Sequence, residues 1–250
     1  MNLITEELGL ANKFMVEEVT FGSHTLAKLT KQNVAIVEAM IMNDSDYIKS
    51  SKKDAGPDNK SNYKGSAAFW FTKLKEMISD KTAEGYSYYK TIKRTIEAVD
   101  RENSTHLNAD RCGREEIARR IYNFGKDKLI ECLKNPEHGD LELFHAIEKK
   151  TSAEVRARYN PSFASKFCHY ACFYLFEGTE YQDNYSIYDS ILRKNLPMYL
   201  EYYGIDKKKY DLSKYEEYRK EIDEIRYSAD ELISRNGFDH LIWYYHKGRM

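Results

Sequence analysis

Two side chains in this sequence stand where their types and spacing allow chemistry: Lys166 and Asp189. Lys166 lies near the start of "ASKFCHYACFYLF", residues 164–176, a run that is otherwise apolar, aromatic and small. Two roles are open to it. At an exposed helix end it is a snorkelling surface residue. Desolvated in a pocket, its amine spends more time uncharged and becomes a nucleophile toward electrophilic carbon. Asp189 stands directly before the apolar-periodic run "SILRKNLPMYLEYY" and reads as its N-cap. A carboxylate held by backbone amides and the helix dipole suits the stabilisation of developing positive charge better than strong-base work. The plainer reading of Asp189 is an ordinary cap that only starts a helix.

The four cysteines are the other candidates. Cys168 and Cys172 are one helical turn apart, a spacing a metal can bridge, but Cys112 and Cys132 show no paired spacing to complete a tetrahedral site. Nor do the four cluster as iron–sulfur ligands do. They read as buried apolar thiols, and four scattered cysteines in 250 residues make no disulfide framework. No metal and no cofactor is expected.

The elements that must position Lys166 and Asp189 read as helices. Proline is rare (4) and glycine modest (12), so long helices run unbroken and strand-like alternation is hard to find. The fold class is all-α. Helical spacing runs through "HTLAKLTKQNVAIVEAMIMND", with Leu26, Leu29, Ile36, Val37 and Met40 on one face. It continues in "SAAFWFTKLKEMISD", in "SYYKTIKRTIEAVDREN" and in "ADRCGREEIARRIYNFGKDKLIECLKN". "KSSKKDAGPDNKSNYKGS", residues 49–66, is polar and reads as a mobile loop. "GDLELFHAIEKK" is a short helix capped by Asp140. The turn "RARYNPSF" follows, with Ser162 as the next N-cap. The helix from Phe163 to Phe176 is apolar nearly all round, as a central helix is, and stops at Gly178. After the Asp189 helix come one highly charged helix and a C-terminal one broken near Asn236-Gly237. The whole chain, residues 1–250, reads as one helical domain.

The pairing of an apolar helix bearing Lys166 with a following helix capped by Asp189 resembles the helix-hairpin-helix DNA glycosylase superfamily. The likeness is to the bacterial branch similar to 8-oxoguanine DNA glycosylase. In that family a hairpin leads into a helix with a catalytic lysine, and a catalytic aspartate follows roughly twenty residues later at a helix start. "ASK" falls at the lysine position and "IYDS" at the aspartate position. The resemblance covers about residues 155–200 and, more weakly, the C-terminal "FDHLIWYYHKG". It implies a two-lobed helical fold with the active site in the cleft between lobes, and a monomer whose partner is double-stranded DNA carrying a modified base. The sequence departs from the family at one place. The glycine-rich hairpin turn that holds a DNA phosphate is replaced by "YNPSFASK", which has no glycine. Asn160, Ser162 and Ser165 supply donors there instead.

The resemblance implies that Asp189 stabilises the oxocarbenium-like charge of N-glycosidic cleavage, while Lys166 either attacks C1′ as a Schiff-base nucleophile or positions a water. Accompanying AP-lyase strand cleavage stays open. The base must leave the stack, at a cost of a few kcal/mol, and enter a pocket. Its candidate walls are Phe69, Trp70, His169, Tyr185, Tyr188 and Trp243. For phosphate contacts the candidates are Arg193, Lys194, Arg235 and Asn236, with Arg156, Arg158, Lys247 and Arg249 beside them.

The resemblance to 8-oxoguanine excision implies an oxidised purine as substrate. Bacterial members of the wider branch sit in lineages that confront phage DNA carrying bulky modified bases, which implies glucosylated hydroxymethylcytosine as the other. A net charge of −1 allows only a local basic footprint. Two other readings stand beside the enzyme: a DNA-binding protein of this fold without turnover, which the glycine-free hairpin fits, and a helical interaction module, which the neutral charge fits. No stretch is long and apolar enough to span a membrane and "MNLITEELGLANKF" lacks the layout of a secretory signal, so a cytoplasmic protein is expected.

Overall fold

The computed structural model describes residues 16–43, 66–83, 85–103, 105, 107, 111–137, 141–151, 159–206, 208 and 211–247, with the backbone alone at 42, 43, 111 and 112. Residues 49–65 of the loop expected over 49–66, the Asp140 cap and the arginines 156, 158 and 249 lie outside them, while Ser66 begins a helix. The described residues are mostly helical: nine α-helices, one 3₁₀ turn and a two-stranded hairpin. The chain divides into two compact units, one formed by residues 1–44 and 188–250 and the other by residues 45–187.

The first unit opens with β1 (Glu18–Phe21) and β2 (His24–Ala27), paired antiparallel with Phe21 opposite His24. This hairpin departs from the all-α expectation. Its two-residue loop begins with Gly22 at φ 58°, which a primed hairpin turn requires. Leu26 therefore belongs to a strand and not to the helix expected from it. That helix, α1 (Lys31–Asn43), starts only after Thr30, whose hydroxyl accepts the Asn33 amide at 3.1 Å. The unit is completed by α7 (Ser190–Tyr202), α8 (Tyr215–Ser228) and α9 (Arg235–His246).

Helix α9 is the hub, packing on α1, α7, α8 and β2. It is not broken at Asn236-Gly237. Ser234 caps it by accepting the Gly237 amide at 2.9 Å, so the Asn-Gly pair sits inside the first turn. A Cβ on Gly237 would stand 2.8 Å from Val34 Cγ1, so the missing side chain sets how closely α9 approaches α1.

The second unit holds α2 (Ser66–Ser79), α3 (Tyr86–Asn103), α4 (Arg111–Lys134), α5 (Glu142–Glu148) and α6 (Pro161–Leu175), with the 3₁₀ turn Glu180–Asp183 after α6. Helical spacing alone does not reveal that α4 is two helical segments. Gly125 (φ 72°, ψ 169°) breaks it, a conformation that glycine adopts without steric cost.

As its nearly all-round apolar surface predicts, α6 is central, packing on α2, α3, α4 and α5. Phe167 meets Phe71 of α2 and Phe163 of its own helix, with ring centroids 5.6 and 6.3 Å away. The helices α5 and α6 form a packed pair whose connection closes where the Asn160 amide donates to the Glu148 carbonyl at 2.8 Å. Arg120 finishes α5 by donating to the carbonyls of Ala146, Lys149 and Lys150 at 2.8–3.1 Å, satisfying oxygens that a helix C-terminus leaves open.

Candidate active site

Lys166 sits in the second turn of α6, and the local chain explains where that helix begins. Pro161 takes the first helical position, with its φ already suited to a helix and no N–H to leave unsatisfied. Asn160 therefore occupies the cap, and its side chain makes no capping bond. Ser162, expected as the cap, lies one residue inside the helix, where its carbonyl accepts the Ser165 hydroxyl at 3.0 Å. Packing by four helices then buries the second turn, and Lys166 is only 8% exposed. That excludes the surface reading of this residue. Lysine is among the residues least often found at such depth.

One turn on, His169 is buried, and its Nδ1 lies 2.7 Å from the Tyr185 carbonyl. A carbonyl only accepts, so Nδ1 carries the proton. The Tyr185 hydroxyl in turn donates to the Cys132 carbonyl at 3.0 Å, and Asn184 donates to the carbonyls of Leu133 and Lys134 at 2.9 and 2.8 Å. These bonds tie the segment leaving α6 to the end of α4. Of the residues expected to line a base pocket, His169 and Tyr185 are thus brought together, with polar atoms committed inside the fold. Phe69 and Trp70 form an edge-to-face pair on α2 with centroids 5.2 Å apart. Phe69 is exposed, whereas the Trp70 indole N–H is buried without an acceptor among the described residues. Ser165 and Asn160, expected as phosphate donors, are buried.

Asp189 belongs to the other unit and caps α7 as its sequence predicts. Its backbone is extended (φ −118°, ψ 151°) and its carboxylate accepts the Ile191 amide at 2.8 Å. Before it, Tyr188 is buried edge-on against Tyr218, with centroids 5.0 Å apart, and donates its hydroxyl to the Leu212 carbonyl at 3.0 Å. After it, Arg193 lies 4.5 Å above the Tyr188 ring and donates to the same hydroxyl at 3.0 Å. Lys194 is exposed beside it.

The remaining candidates are held elsewhere. Arg235 spends its guanidinium on Asp223, which also pairs with Arg226. Asn236 is buried, with its amide 3.5 Å from His240 Nδ1. Trp243 carries the Lys247 ammonium 4.0 Å from its ring centroid.

Two residues near Asp189 were not singled out from the sequence. Tyr218 of α8 and Asp239 of α9 are both buried. Burial, and then the charge of Asp239, Tyr215 and Asp189, push the Tyr218 phenol well above the usual tyrosine range. Both aspartates therefore bear on one phenol. The available signal was a lone carboxylate inside the apolar "FDHLIWYYH", the same kind of anomaly that marks Lys166.

A depression of about 340 Å³ lies between α4 and α5, lined by residues such as Arg120, Phe124, Lys128 and Glu142, and holds none of the expected site residues. Among the described residues no group of three His, Cys, Asp or Glu side chains is placed to hold a metal, and no helix is long and apolar enough to cross a membrane. Cys168 and Cys172 are buried thiols, Cys172 reaching the Leu133 carbonyl at 3.5 Å, and burial pushes the Cys132 thiol up. No family model, curated protein or solved structure matches the chain.

Proposed function

We propose that the protein is a DNA glycosylase that flips a modified base out of a duplex and cleaves its N-glycosidic bond. The observation that carries the reading is the burial of Lys166 in the central helix of its unit. A lysine held inside the fold is placed as a nucleophile toward a bound sugar would be. The reading takes Lys166 as the amine that attacks C1′ of the sugar and Asp189 as the carboxylate that offsets positive charge as the bond to the base breaks. The division into two compact, mostly helical units and the packing of α5 on the Lys166-bearing α6 support it. The two-lobed arrangement with a catalytic cleft, which the resemblance implies, is part of this proposal. So is a monomer acting on double-stranded DNA in the cytoplasm.

The chemistry predicts a covalent step. The amine displaces the base from C1′ and the sugar ring opens to a protonated imine, which water hydrolyses or which eliminates the 3′ phosphate as an AP lyase does. Glucosylated hydroxymethylcytosine and oxidised purines are the substrates to try first. Incubation with duplexes or phage DNAs that differ only in the modified base, with mass spectrometry of the released base, tests the activity. Release by the wild-type chain and its loss in Lys166→Gln and Asp189→Asn is the expected result, and no release from any DNA rejects the enzyme. Borohydride trapping of a covalent protein–DNA adduct, absent in Lys166→Gln, distinguishes an imine from a water-only mechanism.

A second reading, DNA binding without turnover, is favoured by one feature of the α6 start. Pro161 has no N–H, so that helix offers one amide fewer to a phosphate than a glycine turn would. Salt-sensitive duplex binding without base release is its signature.

A further inference from the structure

Arg193 differs from most other arginines described in this chain. Arg94, Arg114, Arg119, Arg120, Arg226 and Arg235 each reach a carboxylate. Arg193 is exposed, donates to the Tyr188 hydroxyl at 3.0 Å, and lies 4.5 Å over the Tyr188 ring. A phenol orients a guanidinium without neutralising it. One turn earlier, the Asp189 carboxylate accepts the Ile191 amide at 2.8 Å.

Tyr188 is itself fixed. It is 5% exposed, and its ring stands edge-on to Tyr218 and Tyr215, with centroids 5.0 and 6.2 Å away. Its one hydroxyl proton goes to the Leu212 carbonyl at 3.0 Å, which leaves the oxygen to accept from Arg193. A long side chain that ordinarily samples many rotamers is therefore held in one place, with its ordering cost met before any ligand arrives.

The result is a carboxylate at the cap of α7 and, four residues on, a guanidinium for which no carboxylate partner is found among the described residues. A nucleotide within a strand presents the complement: a sugar that becomes positive as its base leaves, next to a phosphate that is negative throughout. We propose that Tyr188 is a positioning residue that presents Arg193 to a phosphodiester oxygen flanking the nucleoside at Asp189. The assignment rests on the glycosylase reading and adds which phosphate-bearing form of the substrate the site takes. A phosphodiester inside a strand is meant, and not the phosphate of a free mononucleotide.

The test uses the full chain and a duplex carrying one tetrahydrofuran abasic analogue, with Kd measured by fluorescence anisotropy across potassium chloride concentrations. Arg193→Gln is expected to weaken binding about tenfold at low salt. It should also flatten the plot of log K against log salt by about 0.9, the share of one phosphate. Arg193→Lys keeps the slope while losing part of the affinity. Tyr188→Leu moves in the direction of Arg193→Gln, and Tyr188→Phe, which keeps the ring, retains most of the slope. A methylphosphonate at the flanking phosphate weakens the wild type and leaves Arg193→Gln unchanged.

An unchanged slope in folded Arg193→Gln, with the wild type still binding, overturns this proposal and leaves the glycosylase reading intact. Wild-type binding by both Tyr188 variants also overturns it, as does an Arg193 effect seen only with a deoxynucleoside monophosphate. A wild-type chain that binds no duplex at low salt removes the glycosylase reading and this proposal with it.

Discussion

Each unit of this protein buries a carboxylate, and the two treat it in opposite ways. In the unit with Lys166, Asp100 is 1% exposed at the end of α3 and is fully engaged. It accepts from the Arg114 guanidinium, the Thr105 hydroxyl and, at 3.0 Å, the Leu107 amide, and so pins the start of the passage from α3 to α4. In the unit with Asp189, Glu221 of α8 is 0% exposed and has no hydrogen-bond partner among the described residues. Burial, and then the charge of Glu224, push its carboxyl up to about 7. One group is paid for by partners, the other by holding its proton. The desolvation problem is the same in both places, and the consequence of mutation should have opposite sign.

Asp100→Ala should break the comparison most severely. It leaves Arg114 half-buried without its carboxylate and the Leu107 amide without its acceptor, at a cost of about 3–5 kcal/mol in chemical denaturation. Glu221→Gln should stabilise instead. The folded carboxyl, at about 7, lies above its ordinary value of 4.5, so the native state binds more protons across that window. Stability from this group is full below the lower value and is lost as pH rises through the upper one. The advantage of the glutamine variant should therefore grow from near nothing at acid pH to about 2–3 kcal/mol above neutrality. A constant offset across pH would show that Glu221 does not titrate in the folded unit.

Smaller effects sharpen the picture of the Asp189 unit. Gly237→Ala must displace Val34, a stiff side chain 2.8 Å from the new Cβ, and should cost about 1–2 kcal/mol in thermal unfolding. Smallest is the cap. Asp189→Ala should cost about 1 kcal/mol, and Asp189→Asn almost nothing, because an amide oxygen also accepts the Ile191 amide. If base release is nonetheless lost in Asp189→Asn, the carboxylate's role in chemistry separates cleanly from its role in the helix.

The legible parts of this molecule were the local ones. The Asp189 cap is a bond between a side chain and an amide two residues on, and it depends on nothing distant. The apolar surface of α6 announced a central helix for the same reason, since its periodicity is written in consecutive residues. Misplaced features turned on neighbours in the chain or in space. Leu26 and Leu29 fit a helical face, but strand pairing across Gly22-Ser23 claimed Leu26 and delayed α1 to Thr30. Asn236-Gly237 looked like a break until Ser234 capped it and Val34 occupied the space beside it. Ser162 lost the cap to Asn160 because Pro161 begins a helix so readily.

The sequence by itself determined a mostly helical chain and the helix start at Asp189, because backbone propensity and capping act over a few residues. Tertiary structure alone decided that Lys166 is buried, since four other helices must gather around α6 to exclude water from it. It also decided that Arg193 is held by a phenol, since the Tyr188 hydroxyl is aimed by a carbonyl twenty-four residues further on. Desolvation and long-range hydrogen bonds belong to the packed chain, because each needs groups that lie far apart in the sequence.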